Sequence, residues 1–435
     1  DMSDPTGIDP EHDVMSETER RVAWHLTRML MAFFAVALVM IWADLSIDLT
    51  TLTGVSHDEN GPTPAATTAP SESPADGGSE ATLPPEVPTT TTLPFEARTF
   101  TMVATGDLLV HEYVADMAGF YGNDGGYDFN PMFRRVQPVL AGADLAICHL
   151  ETPLSEDNSD LVYYPNFRVP FELADAIGAA GYDGCSVASN HSLDAGVSGV
   201  RATLSHLDRA GVAHAGMALD ETGAGPAWFA PGSISVAHLS YPDIMNGASL
   251  PTDPPWLVGS LDPVKVVADA EAAVAEGAEF VVVSIHWGVE YQSEPTDRQA
   301  EVSAKLLASP AIDLLIGHQA HVIQPVLRFS DKYAVIGLGN FLSNQPGDER
   351  RNCRPECPDS TQDGVVAWFA VADRPDGSVA VVDAGYVPTW VDRATYEIVP
   401  LGIDNPPGAD PAVLAESEGR TASVLEPTLR RITFD

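Results

Sequence analysis

The chain has 435 residues, room for a tail plus one large domain or two medium ones. Its apolar fraction of 45% is ordinary for a globular protein. Asp and Glu number 62 against 22 Lys and Arg, a formal net charge of −40, which argues against nucleic acid and against a polybasic membrane patch. Divalent cations suit such a surface, although solubility in a salty medium is the plainer explanation.

Residues 1–25 read as a disordered cytoplasmic tail, polar and acidic at first and ending in a basic stretch with Arg20 and Arg21. Residues 26–45 form an apolar stretch of the length a bilayer helix needs, with Arg28 near one end. Basic residues precede it, and Asp44 and Asp48 lie at and beyond its far end, which predicts a single-pass anchor with the rest of the chain extracytoplasmic. A cleaved signal peptide is the alternative reading. Residues 46–97, rich in Pro, Thr and Ser, cannot build a core and read as an extended tether. The folded domain is predicted over 98–432.

Within it, apolar runs alternate with helical patches at 171–180, 199–210, 263–276 and 298–307. The stretch 280–321 reads as strand, helix, strand, a βαβ unit. The runs from Tyr333 onward have no helix between them and suggest antiparallel strands. The order predicts an α/β fold of mixed sheets with helices outside. Cys353 and Cys357 share a polar loop, where a disulfide is expected if the domain is exported, with a zinc pair as the rival. Cys148 and Cys185 read as small buried residues.

The informative pattern is what ends each apolar run. Asp107 ends the first, Glu151 the second with His149 two before it, Asn190 and His191 follow the third, His286 ends another, and His318 with His321 ends the next. Oxygen and imidazole groups of this kind suit Mn, Fe or Zn, and burying them together without a cation is expensive. His111, four residues after Asp107, is a further candidate. Arg168 reads either as a holder of an anionic substrate group or as the partner of a carboxylate. Asn246 and Asn340 read as cleft or turn residues.

Six ordered blocks carry a resemblance: GDLLVH, ADLAICHLETPL, FRVPFELADAIGAAGYDGCSVASNHSLDAG, VVVSIHWGVEY, IDLLIGHQAHVIQPV and IGLGNF. They resemble the motifs of the CapA family, capsule or poly-γ-glutamate synthesis proteins related to calcineurin-like metallophosphoesterases. The resemblance implies a four-layer αββα sandwich with a site for two divalent metal ions. It implies Asp107, Glu151, Asn190, His286, His318 and His321 as metal ligands and His191 as the catalytic residue. Three positions depart from the pattern: Leu109 where the superfamily has His, His149 where CapA proteins have Asn, and Gln319 where they have His.

Three functions follow as expectations. The first is a membrane-tethered, metal-dependent, phosphoesterase-like hydrolase acting on a cell-surface polymer or its precursor. The second is a non-catalytic component of a polymer synthesis or export complex, together with other membrane subunits. The third is an amide hydrolase acting on poly-γ-glutamate.

Overall fold

A computed structural model describes residues 96–123, 125–246, 256–345 and 357–433. The predicted tail, the predicted span at 26–45 and nearly all of the tether lie outside these residues, as does Cys353. Among the described residues no helix is long and apolar enough to cross a membrane.

Fifteen strands run in chain order among the described residues: β1 Thr99–Leu109, β2 Leu145–Leu150, β3 Gly184–Ser186, β4 Ala213–Ala215, β5 Ala227–Phe229, β6 Val236–Pro242, β7 Phe280–His286, β8 Leu314–His318, β9 Ile323–Phe329, β10 Lys332–Leu338, β11 Asn340–Ser343, β12 Asp363–Asp373, β13 Val379–Asp392, β14 Glu397–Pro400 and β15 Arg430–Arg431. They make two sheets. One has the order β14-β13-β12-β1-β2-β3-β4, with β11 also beside β1 and β15 beside β13. The other has the order β5-β6-β7-β8-β10-β9. β1 to β4 are parallel, as are β6, β7, β8 and β10. The late strands β12, β13 and β14 are antiparallel, as their helix-free spacing predicts, whereas β11 runs parallel to β1.

The period of two along each strand sorts side chains into layers. Met102 and Ala104 of β1 and Leu145 and Ile147 of β2 face Phe280, Val282, Leu314 and Ile316 of the other sheet. Their neighbours Val103 and Ala146 face outward, against Leu173, Ile177, Val200 and Leu204 of helices Glu172–Ala180 and Gly196–Ala210. On the far side Val281, Val283 and Leu315 pack under helices Pro263–Glu276 and Asp297–Leu307. Helix, sheet, sheet, helix is the four-layer order that the resemblance implies.

Local signals place the helix ends. Asp262 accepts from Val264 N with Pro263 in the first turn, and Gly277 closes that helix in the left-handed conformation. Thr296 and Gln299 form a reciprocal capping box at the next. The stretch 280–321 is the βαβ unit that its pattern predicts, with His286 opposite His318 in the parallel register.

One expectation needs correction. Cys148 and Cys185 are buried, as read, but not as separate thiols. They lie opposite each other on β2 and β3 and form a disulfide. Cys357 is also disulfide-bonded.

Candidate metal centre

Register brings the polar strand ends to one edge. Asp107 pairs with His149 and with Asn340, His149 with Ser186, and His286 with His318. This is the carboxyl end of the parallel strands, where open α/β sheets bind ligands. Gly106 lets the edge close, because a Cβ there would overlap the Gly339 carbonyl that Asp107 N bonds at 2.9 Å.

Asp107 is fully buried and accepts three bonds. His318 Nδ1 donates to Oδ1 at 3.2 Å, and His321 Nδ1 and the Gln319 backbone N donate to Oδ2 at 3.1 and 3.2 Å. Burial pushes its carboxyl up, but the bonds from His318 and His321 outweigh burial and hold it well below the usual carboxylate range. His321 Nδ1 is shared with Asn340 Oδ1 at 3.0 Å. Burial would lower the His321 imidazole, yet Glu151 and Asp107 together raise it to about 9.

Glu151 is different. Both carboxylate oxygens are buried and neither has a hydrogen-bond partner. Burial pushes its carboxyl well above the usual range. Its Oε1 lies 3.8 Å from His321 Nε2 and 4.0 Å from His191 Nε2. Those gaps are too long for hydrogen bonds but ordinary for groups sharing one cation, since ligands bound at about 2.1 Å stand roughly 3–4 Å apart. The ligand atoms of Asp107, Glu151 and His321 all fall within 4.8 Å of one another, as do those of Asp107, His149 and His318. An orphaned buried carboxylate among imidazoles fits a divalent cation.

The turn after β3 presents Asn190 and His191. Ser189 Oγ donates to Glu151 O at 2.6 Å and accepts from His191 N at 3.0 Å, and Ser192 Oγ donates to Val187 O at 2.8 Å. Asn190 Oδ1 lies 2.9 Å from His286 Nε2. His191 Nδ1 donates to Asp194 Oδ2 at 2.7 Å, which turns its Nε2 toward Glu151. Asn246 donates to His191 and accepts from Asn190.

The structure thus gathers Asp107, Glu151, Asn190, His191, His286, His318 and His321. Two candidates stand apart. The Arg168 guanidinium is paired with Asp160. His111 lies behind the Phe167 ring, which is 5.6 Å from it and 4.7 Å from His191, and burial pushes its imidazole down to about 3. At the departure Gln319, φ is +91° and the backbone serves Asp107, while the side-chain Oε1 is buried without a partner. Asp194 and Ser186 were missed in the sequence. Asp194 had one available signal, its place three residues after His191; Ser186 had none.

Fold and site together define a class: a four-layer α/β sandwich with a candidate metal centre at its strand ends. A family model described as bacterial capsule synthesis protein PGA_cap matches residues 101–345, and the chain belongs to that family. It is 27% identical over 265 residues to the capsule biosynthesis protein CapA of Bacillus anthracis, covering 58% of this chain and 61% of that one. It is 23% identical over 252 residues to the PGA biosynthesis protein CapA of Bacillus subtilis, covering 55% of this chain and 62% of that one. The chain therefore spans about three fifths of the length of these relatives. Among solved structures, a phosphatase from Mycoplasma pneumoniae aligns with a TM-score of 0.41 at 12% identity, over 69% of this chain and 97% of that chain. A calcineurin-like phosphoesterase from Bacillus subtilis aligns with a TM-score of 0.38 at 13% identity, over 75% and 98%.

Proposed function

We propose that this chain is an exported, membrane-tethered, metal-dependent hydrolase of phosphoesterase type, acting in the assembly of a cell-surface polymer such as poly-γ-glutamate. The observation that carries the chemistry is Glu151, a buried carboxylate with both oxygens unpartnered among imidazoles. Asp107, Glu151, Asn190, His286, His318 and His321 would hold two divalent ions, and Asp107 belongs to both groups of converging ligand atoms. Bound ions supply Lewis acidity and counter-charge at the substrate oxygens. Asp194 accepts the Nδ1 proton of His191 and stabilises its imidazolium, so that Nε2 delivers a proton to the leaving group. Disulfides at Cys148–Cys185 and at Cys357 support an oxidising, extracytoplasmic location. Support for the polymer role is family membership, together with the capsule and PGA biosynthesis roles named for the two Bacillus relatives.

The test is metal analysis of the purified full chain after Mn²⁺ loading, paired with turnover of a generic phosphodiester. About two ions per chain are expected, with turnover falling about 10²–10⁴-fold in His191→Ala. Asp107→Ala and His286→Ala should lose metal. A chain that takes up no metal after loading, or hydrolysis untouched by all three changes, would sink the proposal.

A further inference from the structure

Behind the carboxylates runs a buried line of three hydrogen-bonding side chains. His149 Nδ1 lies 2.7 Å from Ser186 Oγ, and His149 Nε2 lies 3.0 Å from His286 Nδ1. His286 Nε2 in turn lies 2.9 Å from Asn190 Oδ1. Ser186, His149 and His286 are all removed from solvent. The Asn190 amide is oriented by its own donation, Nδ2 to Asn246 Oδ1 at 3.2 Å, so its oxygen faces His286.

An amide oxygen only accepts. Without a cation, His286 Nε2 therefore carries the ring proton and donates it to Asn190. His286 Nδ1 is then a bare acceptor, His149 Nε2–H donates to it, and the Ser186 hydroxyl donates to His149 Nδ1. The reverse register also makes three bonds but leaves His286 Nε2 and Asn190 Oδ1 as two acceptors facing each other. His286 Nδ1–H donates to His149 Nε2, His149 Nδ1–H donates to Ser186 Oγ, and the Ser186 hydroxyl turns to the Cys148 carbonyl 3.3 Å away. Both registers hold three protons, so the net change is zero: Ser186 passes its proton to His149, His149 passes one to His286, and the proton that leaves His286 Nε2 for solvent is matched by one that Ser186 Oγ takes up. Only the second frees the His286 Nε2 lone pair toward Asn190 Oδ1, as a shared cation requires.

We propose that Ser186, His149 and His286 form a two-register hydrogen-bond relay, and that cation binding at His286 and Asn190 selects the register with the proton on His286 Nδ1. This rests on the reading of the cluster as a metal centre. His149 acts as a positioning residue within it. Although its ligand atom lies within 4.8 Å of those of Asp107 and His318, its two ring nitrogens face Ser186 and His286 and its ring stacks on His318 with centroids 4.0 Å apart and planes 15° from parallel, so the relay and not an ion takes its lone pair. His149 is suited to the relay because one imidazole accepts at either nitrogen and donates at the other.

The experiment uses the full chain with ¹⁵N-labelled histidine at mildly alkaline pH, and a two-bond ¹H–¹⁵N correlation reads which nitrogen carries each proton. His286→Gln and His149→Phe assign the signals. In chelator, His286 and His149 are expected as Nε2–H tautomers, and with Zn²⁺ both move to Nδ1–H. Zn²⁺ affinity, read by competition with a chelating dye, should fall about 10–100-fold in His149→Phe. Ser186→Ala guards against a His149→Phe chain that does not fold: a smaller loss of affinity and a mixed His286 tautomer are expected. Zn²⁺ binding without a tautomer change, or with wild-type affinity in both variants, overturns the relay and leaves the metal reading standing. A wild-type chain that binds no Zn²⁺ overturns the metal reading and the relay with it.

Discussion

At Glu151 the fold confines a carboxylate where neither oxygen meets a donor. Removing those oxygens therefore has opposite effects on folding and on binding. Glu151→Met keeps the volume and, above about pH 9 where His321 is neutral and no longer draws on the Glu151 charge, is expected to stabilise the metal-free chain by about 1–3 kcal/mol, the scale of an unsatisfied buried polar group. The same change should abolish tight metal binding. Urea unfolding in chelator, beside a metal titration, checks both; a destabilised metal-free variant would mean that Glu151 has an acceptable partner after all. His321 adds a pH dependence. Its imidazole, near 6.5 when unperturbed, is raised to about 9 in the folded chain. The folded state thus holds a proton that the unfolded state releases between those values. Its contribution to metal-free stability is full below about 6.5 and is lost as pH rises through about 9. A cation must displace that proton, so metal affinity should climb over the same window and level off above it. Calorimetry in buffers of different ionisation enthalpy measures the proton released. Most residues of this cluster were legible because each ends an apolar run. Ser186 and Asp194 were not, and His149 was placed at a strand end but given no role. The line from Ser186 through His149 depends on cross-strand register over 37 positions, which no local pattern encodes.

The elements were more legible than their junctions. The helix at Pro263–Glu276 lies where its pattern placed it, because Asp262, Pro263 and Gly277 punctuate it. β9 was not singled out among the apolar runs: Pro325 interrupts it, and it lies at the sheet edge, where a missing N–H is tolerated. The stretch after β8 was also opaque. Gln319 and His321 both adopt positive φ, which turns the chain so that a backbone N–H and an imidazole meet Asp107 together. Gly317, just before, has a reason that only packing reveals. A Cβ there would overlap the Ile336 carbonyl and lie 2.6 Å from Trp287 Nε1, which donates to that carbonyl at 3.0 Å. Gly317→Ala should push β8 from β10 and destabilise by about 1–3 kcal/mol, the range for overpacking. It should also weaken metal binding through the displaced His318. A thermal melt and a metal titration on the same sample test this, and an unchanged melting temperature would show that β10 yields freely.

Across the whole molecule, one covalent link joins stability to the site. Cys148 lies opposite Cys185, and the next register pair is His149 opposite Ser186. The disulfide therefore clamps β2 to β3 one residue from the relay and three from Glu151. It also closes a separation of 37 residues, which includes the helix Glu172–Ala180. Restricting the unfolded chain over a loop of that size contributes about 3–4 kcal/mol in the chain-entropy treatment. Adjacent parallel strands hold the two residues together without the bond, so the folded state should survive its loss. Reductant is thus expected to lower the urea midpoint by that free energy while leaving the fold cooperative. Cys148→Ala with Cys185→Ala should reproduce most of the loss without reductant, leaving only the bond at Cys357 for reductant to cut. A wild-type midpoint unmoved by reductant, with thiols titrating only after unfolding, would mean that the bond resists reduction in the folded chain. The double variant then decides: stability equal to wild type would show that sheet packing alone sets the β2–β3 register, and with it the position of His149.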